Sequence, residues 1–250
     1  MINRIEDLEN GVFFAARGGG IRSCTSIGAL KALEEARIPI KGISGESLSS
    51  LVVSLYCYGY KAEEILEIFL EYNEIITKAS KLFGGRGSIV IEEAVNKVTN
   101  NMKFKDLGVD CYINACTGTI SNPEVFVFSK ENTPEVTLGR ACRASASIPI
   151  LFGNSKLIIN GKEYDLFDGG FLYNPYIPET KYPIIYSSFH NDIDYYKILP
   201  FLKKTVDYAY NKSDIIIYTP VGRTLVIGSN DEMIDCAEAG YQETKRILRL

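Results

Sequence analysis

Ser47 stands in Gly45-Glu46-Ser47-Leu48-Ser49, between a short apolar run and a longer one with helical periodicity. A serine hydroxyl is a weak nucleophile until a base takes its proton and donors hold the charge that develops on the attacked carbonyl oxygen. The chain carries candidates for both. In Gly18-Gly19-Gly20-Ile21-Arg22-Ser23, successive backbone N–H groups can converge on an oxyanion at the start of a helix. Asp168-Gly169-Gly170 holds an acid at a turn, from which it can reach the end of another strand. The residues two before and two after Ser47, Gly45 and Ser49, are small, as a sharp strand-to-helix nucleophile turn requires. The chemistry these parts suit is acyl transfer.

Each part alone has a plainer reading. A glycine-rich turn also serves nucleotides, although this one matches neither G-x-G-x-x-G, having Ser23 at the last position, nor the P-loop pattern. Asp-Gly is a common turn pair. The base is open on the residues themselves. Ser47, Asp168 and His190 follow the chain order Ser…Asp…His of a catalytic triad, or Asp168 takes the serine proton directly. Phe189-His190-Asn191-Asp192 reads as a polar loop, which weighs against His190.

The elements around these residues must bring them to one place. Gly11–Ala16 reads as a buried strand, Ile21–Ala36 as a helix, Ile38–Ser44 as a second strand and Leu48–Tyr58 as a second helix. That alternation predicts a three-layer α/β sandwich with a mainly parallel central sheet, and a site at the carboxyl ends of its strands. Lys61–Lys78 is amphipathic with an acidic outer face, which suits core packing or a cap over the site more than a membrane-lying helix. Gly84–Gly87 reads as a loop and Ile89–Asn101 as a helix. Cys111–Cys116 and Glu124–Phe128 read as strands about a turn at Ser121-Asn122-Pro123, and Leu138–Ser145 as a short helix. Lys156–Asn160 and Glu163–Phe167 form a hairpin about Asn160-Gly161. Strands at Tyr182–Ser187 and Ile215–Tyr218 and helices at Lys197–Asn211 and Glu232–Arg249 complete the chain. Without a repeat or a linker-like stretch, residues 1–250 read as a single domain.

Composition narrows the function. The 250 residues are 46% hydrophobic and 23% charged, with a net charge of −4, so neither disorder nor a nucleic-acid footprint is expected. One histidine excludes multi-histidine metal sites. Six cysteines without a C-x-x-C pair read as small buried hydrophobes in a reducing compartment. No cofactor is expected. The N-terminus has no signal-peptide pattern and no stretch is long enough to span a bilayer, so the expected location is cytoplasmic or peripheral at a membrane.

Four ordered blocks, GGGIRSCTSIGALKAL (Gly18–Leu33), GESLS (Gly45–Ser49), RASASIPILF (Arg143–Phe152) and DGGFLYNP (Asp168–Pro175), with 27 positions from Gly20 to Ser47, resemble the patatin-like phospholipases. The resemblance implies a metal-free Ser–Asp dyad that hydrolyses acyl esters of a lipid, most simply a phospholipid or lysophospholipid, at a membrane or micelle surface. It implies Ser47 as nucleophile, Asp168 as base and Gly18, Gly19 and Gly20 as the oxyanion hole, with the amides of Gly19 and Gly20 the best donors. Arg22 matches the family's basic residue beside that loop, in a loop-anchoring role. Gly45, Gly169 and Gly170 complete the motifs. The chain departs from the family at Arg17, Ser23, Glu46 and Ser49. Arg17 and Glu46 read either as partners across the site entrance or as charges that disfavour anionic lipids. Two rival readings follow: an esterase for soluble substrates, and a lipid- or partner-binding protein with damped turnover.

Overall fold

The first apolar run forms strand β1, Val12–Ala16, and its alternation sorts side chains to two layers. Val12, Phe14 and Ala16 join the larger core cluster, and Phe13 and Ala15 join a smaller one on the other face. A run apolar on both faces belongs in the middle of a parallel sheet. The computed structural model, which describes residues 8–80, 86–149, 153–159, 161–172, 174–189, 201–221 and 228–250, places β1 there.

In chain order, β1 is followed by a 3-10 turn at Gly20–Ser23, α1 (Cys24–Glu35), β2 (Ile40–Gly45), α2 (Ser49–Tyr58), α3 (Ala62–Ser80) and α4 (Arg86–Val98). Then come β3 (Asp110–Thr119), β4 (Asn122–Phe128), α5 (Leu138–Ser145), β5 (Ser155–Ile159), β6 (Lys162–Asp168) and β7 (Ile184–Phe189). Helix α6 (Phe201–Lys212), β8 (Ile215–Thr219) and α7 (Asn230–Leu248) close the chain. The sheet runs β5-β6-β3-β2-β1-β7-β8, with β4 also on β3. Neighbours from β3 through β2, β1 and β7 to β8 are parallel, and β4, β5 and β6 pair antiparallel. Helices α1, α2, α5 and α7 contribute to the larger core, while Tyr208, Ala209 and Tyr210 of α6 pack on the Phe13 side. The sheet is therefore a middle layer with helices on both faces.

Several boundaries differ from the sequence reading, each for a local reason. The pairing Thr119↔Asn122 makes Ile120-Ser121 the hairpin turn and puts Pro123 inside β4. A strand paired on one side tolerates a missing N–H. Helix α4 starts at Arg86, because glycine costs little in a first turn whose N–H groups have no intrahelical partners. It ends at Val98, where Asn100 and Asn101 turn left-handed and the Asn101 N–H caps the Asn96 carbonyl. Strand β7 runs two residues later than its pattern suggests, which carries Phe189 to the site. All six cysteines are buried free thiols.

Candidate active site

The turn after β2 is built to expose one side chain. Gly45 lies between Ala16 of β1 and Ile113 of β3, so the turn sits at the carboxyl ends of central strands. Ser47 has φ 50°, a left-handed conformation that costs a non-glycine residue energy and persists only where neighbours impose it. They do so here: the Ser47 N–H donates to Ser145 Oγ at 2.9 Å, the Ser145 hydroxyl donates to the Asn114 carbonyl at 2.7 Å, and the Ser50 hydroxyl donates to the Ser47 carbonyl. A Cβ on Gly45 would lie 2.8 Å from the Ser49 carbonyl oxygen, so helix α2 can cross this close only over glycine. Ser49, where the motif has glycine, donates its hydroxyl to the Arg17 carbonyl at 2.6 Å and ties the helix to the end of β1.

The glycine loop leaves β1 beside that turn. The Gly18 N–H donates to Glu46 Oε1 at 2.7 Å and is thereby occupied. The amides of Gly19 and Gly20 have no hydrogen-bond partner among the described residues, and Gly20 has φ 64°. A Cβ on Gly19 would overlap the Phe189 ring. Arg22 donates from Nε to the Gly19 carbonyl at 3.0 Å, and its guanidinium lies 4.7 Å from the Phe189 centroid, so it braces the loop. Arg17 and Glu46 are not partners across an entrance. Both are buried; Arg17 donates to Ser188 Oγ and the Phe189 carbonyl and packs on the Phe189 ring, while Glu46 turns to Gly18. The direct contacts go to backbone and hydroxyl groups, so the two side chains meet only through longer-range attraction.

Asp168 reaches the same place from the other direction. It ends β6, opposite Ala115 on β3, and β3 is the neighbour of β2. Its Oδ1 accepts the Gly170 N–H at 2.9 Å, and Asn114 donates to the Gly169 carbonyl at 3.2 Å, which fixes the turn. Burial raises the Asp168 carboxyl to about 6, against the smaller opposing pull of the Ser47 hydroxyl and the Gly170 amide. Oδ2 is buried without a partner at full hydrogen-bond distance. Ser47 is beside the carboxyl, close enough for its hydroxyl to lower the Asp168 pKa. A carboxylate near 6 is mostly ionised at neutral pH and is a stronger base than an exposed aspartate. His190 lies outside the described residues.

On its other side, partly exposed Ser47 borders an apolar cavity that opens to solvent. Gly20 and Ser47 sit at its wall, with Leu51 and Leu55 from α2, Ile68, Phe69 and Tyr72 from α3, Val95 from α4 and Met233 from α7. The α3 stripe therefore packs on the core through Ile65 and Phe69 and also walls the cavity beside Ser47. Sequence reasoning missed Ser145, Asn114 and Phe189. The first lies within a quoted block, but the other two carry no local pattern and are recruited by strand pairing.

This fold and site define a class, and comparison with known proteins defines the same one. The sequence profile of the patatin-like phospholipases matches residues 15–180, and the chain belongs to that family. It is 27% identical over 198 residues to an uncharacterised protein of Acanthamoeba polyphaga mimivirus, covering 72% of this chain and 62% of that one. It is 26% identical to a probable lipid hydrolase of Invertebrate iridescent virus 6, covering 60% and 59%. The chain thus spans about three fifths of these relatives. Among solved structures, VipD from Legionella pneumophila superposes with a TM-score of 0.59 at 14% identity, covering 96% of this chain and 67% of that one. The type III effector ExoU gives 0.56 at 14% identity, covering 96% and 53%. At this identity the two share the fold. Among the described residues, no helix is long and apolar enough to cross a membrane.

Proposed function

We propose that residues 1–250 act as one patatin-like unit that hydrolyses carboxylic esters of lipids, of the phospholipase A or lysophospholipase type, through a Ser47–Asp168 dyad. The observation that carries this reading is the position of Ser47, held left-handed between the buried Asp168 carboxyl and an apolar cavity. An acyl chain in that cavity gains about 0.8 kcal/mol per buried methylene and brings its ester carbonyl to Ser47. Asp168 takes the hydroxyl proton as Ser47 Oγ bonds to the carbonyl carbon. The amides of Gly19 and Gly20 hold the resulting oxyanion. Collapse breaks the ester bond, and the leaving alcohol departs with the proton from Asp168. Water gives a proton to the same carboxylate and attacks the acyl-serine carbonyl; the Ser47 Oγ–acyl bond breaks, Oγ takes the proton back from Asp168, and the fatty acid leaves. Every proton and bond is handled by these groups, without a metal.

The test is release of fatty acid from micellar phospholipid or lysophospholipid by the purified protein in the presence of a chelator. Activity that requires added calcium or zinc would contradict the mechanism. Hydrolysis of monomeric short-chain esters with none on micelles would replace a lipid substrate by a soluble one. Binding of lipid without any hydrolysis would leave a lipid-binding protein on the same fold.

A further inference from the structure

Glu46 places a carboxyl group where it is costly to have one. It precedes the candidate nucleophile, is 1% exposed, and forms no ion pair among the described residues. Its Oε1 accepts from the Gly18 N–H at 2.7 Å, while Oε2 is buried without a hydrogen-bond partner among the described residues. Removing a carboxyl from water for a single hydrogen bond is unfavourable unless that bond is needed where it is. The bond joins the two turns of the site: Glu46 belongs to the elbow and Gly18 opens the glycine loop. A Cβ on Gly18 would lie 2.8 Å from the same Oε1, so loop and carboxyl are in direct contact.

We propose that Glu46 is a positioning residue, whose side-chain carbonyl oxygen holds the Gly18 amide so that the next two amides, of Gly19 and Gly20, stay turned to the oxyanion. The inference rests on the reading of Ser47 as nucleophile and of those amides as its donors. It also accounts for the occupied Gly18 amide, which is the anchor of the loop and not a third donor.

The charged and titratable groups around Glu46 are Arg17 on the segment after β1, Asp168 at the end of β6, Cys116 on β3 and Tyr186 on β7. Burial pushes the Glu46 carboxyl well up, the Gly18 amide and Arg17 oppose this, and the negative charge of Asp168 adds to it. Two neighbouring carboxyls in apolar surroundings do not both ionise readily. With Asp168 the charged member, Glu46 keeps its proton and serves as a neutral acceptor. Glutamine has the same acceptor at the same reach.

The test compares Glu46→Gln with Glu46→Ala and with Glu46→Met, which fills the space but cannot accept. Glu46→Gln should stay within about 3-fold of the parent in kcat and keep the acid limb of its pH profile. Glu46→Ala and Glu46→Met should lose about 10–100-fold in kcat with KM within about 2-fold, the scale of misplaced donors. Glu46→Met as active as the parent would overturn the proposal, as would Glu46→Gln as impaired as Glu46→Met, which would make the ionised carboxylate the working group. Amide-resolved hydrogen exchange on the parent protein reads the anchor without turnover. Gly18 should be protected and Gly19 and Gly20 should exchange fast, and a fast Gly18 amide would also overturn it. Parent protein with a protected Gly18 amide but no esterase activity would instead sink the reading of the site on which the proposal rests.

Discussion

Ser47 has two unlike sides. Towards α2, α3 and α4 lies apolar cavity wall, where Leu51, Phe69 and Val95 have nothing to offer but surface. Towards β3 and β6 lie two buried carboxyls, Asp168 and Glu46, each with one oxygen that has no hydrogen-bond partner among the described residues. On the proposed reading the first side takes an acyl chain, and filling it gives only affinity. The second is uncomfortable as it stands, and its discomfort is what raises Asp168 towards the pH at which a base works best. If Ser47 works as proposed, binding and proton transfer are divided between its two faces, so each can be broken while the other stays.

The largest effects belong to the polar side. Ser47→Ala and Asp168→Asn should each lower kcat by about 10²–10⁴-fold or more while binding of a lipid analogue persists. Steady-state rates beside a fluorescent-lipid titration check this, and an Asp168→Asn variant within about 10-fold of the parent would remove Asp168 as base. Next comes the loop between the two sides. Gly19→Ala puts a methyl group into the Phe189 ring and should cost roughly 100-fold in kcat, with the far-ultraviolet circular dichroism unchanged.

The apolar side should show a smaller and more selective effect. Leu51→Trp fills the cavity next to Ser47, so kcat/KM for a sixteen-carbon acyl ester should fall about 10-fold while a four-carbon ester stays within about 2-fold. Equal losses for both would mean that the chain does not lie in this cavity.

The mildest effects concern pH. Asp168 is raised from 3.8 to about 6 in the folded protein, so its contribution to stability is full below pH 3.8 and is lost as pH rises through 6. Above that, its ionisation costs about 3 kcal/mol in an order-of-magnitude linkage sum. Asp168→Asn should therefore melt several degrees above the parent at pH 8, with the gap closing near pH 4. The rate profile should rise with pH through about 6, where a histidine would also titrate. His190→Ala separates the two: it should keep both the limb and the rate to within a few-fold.

Much of this arrangement was legible in the chain. Ser47, Asp168 and the glycine loop stand out because backbone geometry demands small residues around them, and small residues at fixed offsets are visible as letters. The β1–α1–β2–α2 order was legible for a similar reason, since periodicity writes burial into sequence. What could not be read were relations between distant strands. Nothing at Phe189 announces that it will cover Gly19, because that depends on β7 pairing with β1 and on where β7 ends. From sequence, Glu46 and Arg17 read as partners across the site entrance or as charges that disfavour anionic lipids, because charged residues usually are exposed. The elbow turns Glu46 inward to Gly18, and the end of β7, through Ser188 and Phe189, takes in Arg17.

The central claim is that Ser47 is a nucleophile activated by Asp168, and covalent capture tests it most directly. The parent protein treated with a fluorophosphonate ester should gain one adduct by intact mass, mapped to the peptide containing Ser47. Labelling should vanish in Ser47→Ala, slow by about 10²-fold or more in Asp168→Asn, and proceed unchanged in His190→Ala. Labelling of Ser47→Ala at the parent's rate, or loss of labelling in His190→Ala while Asp168→Asn reacts normally, would contradict the account.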